Sequence, residues 1–123
     1  MKYLILIYSN PLARETWASF SREERVAGLE YYAALTDELA GSGELIASHA
    51  LADPSMAARV TARDGQTTIS DGPFAEVKEH LAGFFLVDCA SRERAVEVAA
   101  RIPEASLGLV EVRPVMELSA FEV

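Results

Sequence analysis

One short segment of this chain concentrates charge around a rigid turn. It reads Asp-Gly-Pro-Phe-Ala-Glu-Val-Lys-Glu at residues 71–79 and is called the signature loop below. Gly72 can take a positive φ and Pro73 fixes its own φ, which favours a loop of defined shape, and Phe74 is available to pin it to the core. Four side chains carry charge: Asp71, Glu76, Lys78 and Glu79. Because charges are rarely buried unpaired, they either face water or converge on a polar site.

Two residues are candidates for proton transfer. His49 lies near the end of a predicted strand that can bring it close to Asp71, and a neutral imidazole oriented by a carboxylate is a general base near pH 7. With Lys78 stabilising negative charge, this pair suits an elimination or an isomerisation. The alternatives are an exposed or hydrogen-bonded strand histidine at 49 and a turn residue at 71 that accepts hydrogen bonds from its own loop.

The loop charges also have two interpretations. Glu76 and Lys78 lie two residues apart and share a side if the segment is extended, so the pair either meets a polar ligand or stabilises the loop locally. An exposed pair of this kind contributes less than about 1 kcal/mol. His80 adjoins Glu79 and is interpreted as a solvated surface residue. The predicted ligand-binding or motif residues are Gly72, Pro73, Phe74, Glu76, Lys78 and Glu79.

The sequence favours chemistry without a bound cofactor. Its two histidines and one cysteine lie far apart, so no spacing typical of a metal site appears. Its glycines lie at predicted turns and do not have the Gly-x-Gly-x-x-Gly spacing of a dinucleotide-binding site. Cys89 stands alone, which rules out a disulfide within the chain, and its apolar neighbours predict a buried structural thiol.

Length and composition indicate one globular domain spanning residues 1–123. Half of the 123 residues are hydrophobic, and the formal net charge of −8 argues against a nucleic-acid partner, since phosphate binding relies on clustered Lys and Arg. The apolar run from Tyr3 to Tyr8 is too short for a signal peptide or a membrane span. We therefore expect a cytoplasmic protein without membrane contact.

The hydrophobic pattern predicts the order strand, helix, several antiparallel strands, helix, strand. Ser21 and Glu24 have the spacing of a capping box, Asn10-Pro11 is interpreted as a turn that ends the first strand, and Pro114 is placed at a strand end or sheet edge. The predicted strands are 2–8, 44–51, 82–89 and 109–115, the helices run from about 22 to 40 and from Ser91 to before Pro103, and a hairpin joins 59–63 to 66–70 through Asp64-Gly65. This order fits an α+β, ferredoxin-like βαββαβ sandwich with an inserted β-hairpin.

The predicted sheet is apolar on both faces, although two helices can cover only one. In the first predicted strand, Tyr3, Ile5 and Ile7 alternate with Leu4, Leu6 and Tyr8. In the strand 82–89, Phe84 and Leu86 alternate with Phe85 and Val87. A patch of this size exceeds what soluble monomers usually expose. A twofold homodimer packed sheet to sheet is the simplest cover, and a dry cavity for an apolar ligand is compatible with it.

Several segments together resemble the DGPF-domain branch of the YCII-related family. They are the signature loop, Met1-Lys2-Tyr3, Ala-Arg-Ile-Pro at 100–103 and Val-Glu-Val-Arg-Pro-Val-Met-Glu at 110–117. The resemblance spans nearly the whole chain and implies a dimeric α+β barrel of ferredoxin-like subunits. Many proteins of this branch resemble ones encoded beside, or fused to, extracytoplasmic-function sigma factors. The wider family is similar to small enzymes that use a His and Asp pair, with a dehydrochlorinase as the characterised type.

The chain departs from the family pattern at a few positions. Tyr32 stands where some relatives have a histidine, and a tyrosine is a poor general base at neutral pH. Val77 replaces the usual Thr, while His80 and Ala82 stand where Gln and Gly are common. Two functions are predicted. The first is a homodimer that binds a small, partly apolar organic molecule beside the signature loop and catalyses a cofactor-independent elimination or isomerisation. The alternative is a non-catalytic regulatory module that binds a sigma factor.

Overall fold

The computed structural model describes residues 1–74 and 76–121 and shows an antiparallel sheet flanked by helices. The strands are β1 (Lys2–Ser9), β2 (Leu45–Ala50), β3 (Ala58–Arg63), β4 (Gln66–Asp71), β5 (His80–Asp88) and β6 (Val110–Pro114). The helices are α1 (Pro11–Ser19), α2 (Arg22–Gly41) and α3 (Arg92–Ala100), with 3₁₀ helices at Pro54–Met56, Pro103–Leu107 and Leu118–Phe121. Four strands pair in the order β2-β5-β1-β6, all antiparallel, and β3 and β4 form a separate two-stranded sheet. This is the predicted ferredoxin-like α+β fold with an inserted hairpin.

The predicted capping box at the start of α2 is confirmed. The Ser21 hydroxyl accepts a hydrogen bond from the Glu24 backbone N–H at 3.1 Å, and the Glu24 carboxylate accepts one from the Ser21 N–H at 2.9 Å. Two N–H groups without partners inside the helix are thereby satisfied. Pro114 ends β6, an edge strand, as predicted.

Helix α1 corrects the interpretation of Asn10-Pro11 as a simple turn. The Asn10 side chain accepts a hydrogen bond from the Ala13 N–H at 2.8 Å, and Pro11 occupies the first helical position. Asparagine as N-cap followed by proline is also a helix-start signal, because proline has no N–H to leave unsatisfied there. The pair therefore ends β1 and begins α1, which buries no residue of its own.

The hydrophobic core lies between one face of the four-stranded sheet and helices α2 and α3. The sheet contributes Tyr3, Ile5, Ile7, Phe85 and Val87, and the helices and their flanks contribute Leu35, Leu39, Cys89, Ala95, Val98, Ala99 and Ile102. The thiol of Cys89 is 2% exposed, which confirms the predicted buried cysteine.

The opposite face of the sheet, called the second face below, carries Leu4, Leu6, Phe84 and Leu86. Leu4 pairs with Leu86 and Leu6 pairs with Phe84 across β1 and β5. These residues alternate along the strands with the core residues, so their side chains lie on the opposite face of the sheet. The buried residues of α2 and α3 belong to the core or adjoin it, and α1 buries none. On this face Leu4, Phe84 and Leu86 are half-buried and Leu6 is 8% exposed, and within the described residues no buried helix residue packs there as part of the core cluster.

The hairpin of β3 and β4 stands apart from this sheet. It runs in register from Ala58 opposite Asp71 to Arg63 opposite Gln66, and its turn residues Asp64 and Gly65 have φ of 51° and 76°. Every residue of both strands is exposed except the half-buried Arg59. None of the helices in residues 1–74 and 76–121 combines the length and the apolar character needed to cross a membrane.

Candidate functional site

The signature loop connects the end of β4 to the start of β5 and is tied to the base of the hairpin. The Gly72 N–H donates to the Ala57 carbonyl at 2.7 Å, and Gly72 takes a φ of 81°, as its predicted role in the turn requires. The Val77 N–H donates to the Phe74 carbonyl at 3.2 Å and closes a second turn. Pro73 is half-buried, whereas Ala75 lies outside the described residues.

Phe74 does not pin the loop to the core, contrary to the prediction. Its side chain is 59% exposed, and the guanidinium carbon of Arg59 lies 4.8 Å from the centre of its ring. This cation–π contact joins the loop to β3. The Arg59 Nε is buried and has no hydrogen-bond partner among the described residues. The loop is thus held against the hairpin instead of the core.

The second half of the loop lines an open cleft of about 700 Å³, called the loop cleft. Its walls are Tyr8, Glu76, Val77, Lys78, Glu79, Gly108, Val110 and Glu111. The Tyr8 hydroxyl donates to Glu111 Oε1 at 3.3 Å. Burial raises the pKa of Tyr8, and the neighbouring Glu111 carboxylate raises it further, so this hydroxyl keeps its proton and acts as a donor.

The loop cleft opens beside the second face of the sheet. Glu111 lies opposite Leu6 in the pairing of β6 with β1, so its side chain is on the second face. Glu76, Lys78 and Glu79 all line this cleft, and their role in binding a ligand stays a prediction. Among the described residues no ion pair joins Glu76 to Lys78. Glu76, Lys78 and Glu79 are all exposed.

The candidate bases His49 and Asp71 lie on different sheets. His49 is exposed on β2, opposite Phe84 on the second face, and the two rings have their centres 5.7 Å apart. Asp71 ends β4 opposite Ala58 in the hairpin. Within the described part of the chain no hydrogen bond joins His49 to Asp71, and neither residue lines the loop cleft.

A second, smaller cleft of about 140 Å³ lies at the same end of β1 and β5 and is called the Arg14 cleft. It is lined by Ser9, Arg14, Leu51, Ala52, Asp53, Pro54, His80, Leu81 and Ala82. The sequence did not single out Arg14 because α1 was not predicted. His80, interpreted as a solvated residue, is half-buried here. The signal that could have found it is the helix start at Asn10-Pro11, because α1 places Arg14 in this cleft.

Comparison with known proteins identifies the family. The profile of the YCII-related domain matches residues 1–119. The chain belongs to the YCII-related family. An uncharacterised protein of Rhizobium meliloti (strain 1021) is 35% identical over 116 residues, covering 93% of this chain and 91% of the relative. The matched region includes the signature loop and both clefts of this YCII-related domain.

Tyr32, which the resemblance places where some relatives have a histidine, links two elements of the fold. Its hydroxyl donates a hydrogen bond to Glu104, and this links α2 to the 3₁₀ helix Pro103–Leu107. Burial, and then the Glu104 carboxylate, raises the pKa of Tyr32 far above its usual value. Tyr32 therefore acts as a hydrogen-bond donor and not as a base at neutral pH.

The described residues of this YCII-related domain, 1–74 and 76–121, contain no group of three or more His, Cys, Asp or Glu side chains placed to hold a metal ion. The polar groups of the loop cleft are carboxylates, an ammonium and a phenol. These groups can orient a small molecule by hydrogen bonds and charge, and they can donate or accept protons.

Proposed function

We propose that this YCII-related protein is a homodimer that binds a small organic molecule in the loop cleft. The observation that carries the proposal is the convergence of Glu76, Lys78 and Glu79 with Tyr8 and Glu111 around one cleft. Its volume of about 700 Å³ falls within the range of about 300–1,000 Å³ that is typical of ligand pockets. A loop held in shape by Gly72 and Arg59 presents these groups.

The charges of the cleft restrict the ligand class. Three carboxylates face one ammonium, so a simple anion would be repelled more than attracted. Hydroxyl or amine donors would satisfy the carboxylates, and Val77 and Val110 supply apolar contact. The proposed ligand is therefore a neutral or cationic, partly apolar molecule with hydroxyl or amine groups, such as a phenol.

The second face supports the homodimer. A sheet face with Leu4, Phe84 and Leu86 only half-buried is the kind of surface that a twofold partner covers. A hairpin exposed on both sides is marginally stable by itself, so contact with a second subunit would also stabilise β3 and β4. Because the loop cleft borders the second face, the partner would close one side of the cleft.

The chemistry that we propose for this site is proton transfer in an elimination or isomerisation without a bound cofactor. Lys78 lies in the cleft, where its ammonium would stabilise developing negative charge. His49 or Asp71 is the proposed proton acceptor. Neither lines the cleft within one chain, so the step requires that the second subunit supplies it. Turnover must be lost in both His49→Ala and Asp71→Asn, and full activity in either variant removes that residue from the mechanism.

A thermal-shift screen tests the ligand proposal. Wild type, Glu76→Ala and the control Glu30→Ala, an exposed glutamate on α2, would be screened with phenols, quinones, hydroxy acids and amino-acid derivatives. A ligand that binds the native state raises the melting temperature. We expect a hit that Glu76→Ala loses and Glu30→Ala keeps. A hit that all three proteins share equally would place the ligand elsewhere.

The competing proposal is a non-catalytic module that binds an extracytoplasmic-function sigma factor. The net charge of −8 favours it, because an acidic surface attracts a basic protein partner. A silent ligand screen together with salt-sensitive retention of a sigma factor encoded next to the gene would support this function. A ligand hit lost in Glu76→Ala, with no sigma factor retained, would reject it.

A further inference from the structure

The Arg14 cleft contains a guanidinium that forms no ion pair with the described residues. Arg14 Nη1 is buried and has no hydrogen-bond partner within residues 1–74 and 76–121. None of the ion pairs of the described residues includes Arg14. A buried donor without a partner carries a desolvation cost, and a guanidinium is suited to a carboxylate that accepts two parallel hydrogen bonds. The Arg14 guanidinium is therefore suited to bind an oxyanion.

The opposite charge in the cleft belongs to Asp53. Its Oδ1 accepts a hydrogen bond from the Ser55 N–H at 2.9 Å as the N-cap of the 3₁₀ helix Pro54–Met56. The hydrogen bonds from Ser55 lower the pKa of Asp53, and the nearby Arg14 and His80 lower it further, so the carboxylate is ionised at neutral pH. Asp53 is exposed, so its carboxylate can accept a further hydrogen bond besides those from Ser55.

The remaining walls define the size and polarity of an occupant. Leu51, Pro54 and Leu81 are apolar, while Ser9 and His80 add hydrogen-bonding groups. A cavity of about 150 Å³ holds benzene, so the volume of about 140 Å³ suits roughly six non-hydrogen atoms. A dianion would be repelled by Asp53, whereas a monocarboxylate with its own donor would satisfy both charges.

We propose that the Arg14 cleft is a binding site for a small 2-amino or 2-hydroxy carboxylate. Arg14 binds the ligand carboxylate, Asp53 accepts a hydrogen bond from the ligand ammonium or hydroxyl, and His80 and Ser9 complete the polar contacts. The three charged or titratable groups come from α1, from the loop after β2 and from the start of β5. This site is separate from the loop cleft, so the proposal does not depend on the function proposed there.

Titration followed by NMR of the full ¹⁵N-labelled chain tests the site. The probes are glycine and glycolate, with acetate as the ligand without a donor and inorganic phosphate as the alternative oxyanion. We expect saturable shifts at Ala52 and Leu81 with glycine or glycolate, and weaker binding of acetate. Arg14→Gln should weaken binding at least about tenfold, because a charge-assisted pair is lost. Arg63→Gln, an exposed arginine of the hairpin, should change nothing.

Further variants separate the roles of the two charges. Asp53→Asn keeps a capping side chain but loses the negative charge, and it should abolish the preference for glycine over acetate. Arg14→Lys keeps the charge without the planar fork and is the second variant if Arg14→Gln does not fold; it should also bind more weakly. Glu30→Ala, at an exposed position on α2, should bind as wild type. Equal affinity in wild type and the Arg14 variants, shifts confined to the loop cleft, binding of phosphate alone, or no saturable shift would each overturn the proposal.

Discussion

Glu44 illustrates how a single carboxylate connects two elements outside both clefts. Its two carboxylate oxygens accept hydrogen bonds from Nε and Nη2 of Arg94 on α3, both at 2.9 Å. The Ser42 hydroxyl donates to it at 2.8 Å. The Arg94 hydrogen bonds, followed by that from Ser42, lower the pKa of Glu44 from 4.5 to about 2. The Glu44 side chain is only 17% exposed, so solvent weakens this pair less than a surface pair.

The depressed pKa predicts a pH-dependent stability. Ionised Glu44 stabilises the fold above pH 4.5, and this contribution is lost as the pH falls towards 2, because the folded-state pKa lies below the unfolded one. Glu44→Gln should lower the free energy of unfolding at pH 7 by about 2 kcal/mol, and the difference from wild type should shrink at pH 3. Urea unfolding at both pH values measures it. The control is Glu97→Gln, whose carboxylate also pairs with Arg94 but is 68% exposed; its effect should be below about 1 kcal/mol.

At Gly83, β5 lies close to the backbone of β2. A Cβ built there would lie 2.9 Å from the His49 carbonyl oxygen and 3.4 Å from the Ala50 Cα. Gly83→Ala should therefore push the edge strand away and destabilise the protein by about 1–3 kcal/mol in thermal or urea unfolding. Gly41→Ala has open space around its Cβ and should be neutral or stabilising. Equal effects of the two substitutions would contradict close packing at Gly83.

Among the elements, α1 and α2 differ in what anchors them. Helix α2 buries Leu35 and Leu39 in the core, whereas α1 buries no residue. The start of α1 is capped by Asn10, and the Arg25 guanidinium of α2 donates hydrogen bonds to the carbonyls of Trp17 and Ala18 at its end. Asn10→Ala should therefore increase hydrogen exchange within 11–19 while changing the global unfolding free energy little. Ser21→Ala should instead reduce global stability by about 1 kcal/mol. Unchanged exchange within 11–19 in Asn10→Ala would show that the cap does not hold α1.

The sequence predicted most elements because their signals are local. The Ser21 capping box, the Asp64-Gly65 hairpin turn and the alternation in β1 each depend on neighbouring residues. Asn10-Pro11 failed as a turn because the same two residues satisfy the start of a helix. The Arg14 cleft was not predictable in this way, since Arg14, Asp53 and His80 are brought together only by tertiary packing.

For the whole molecule, the decisive prediction concerns assembly. Leu86 lies half-buried in the centre of the second face, opposite Leu4, so Leu86→Glu would place a charge inside the proposed interface between subunits. We expect wild type to sediment as a dimer and the variant as a monomer in analytical ultracentrifugation. Leu29→Glu, on a residue 62% exposed on α2, should remain a dimer. A monomeric wild type would contradict both the proposed homodimer and the proposal that the second subunit supplies the proton acceptor.

The exposed hairpin has a practical consequence for following that assembly. Arg63 precedes the Asp64-Gly65 turn, so a trypsin cleavage site lies at the tip of β3. Proteases nick exposed loop tips readily, and a subunit packed against the hairpin would shield the bond. If the proposed homodimer covers the hairpin, the rate at which trypsin cuts the chain after Arg63 will fall as the protein concentration rises, and a gel can follow this without a label or a ligand.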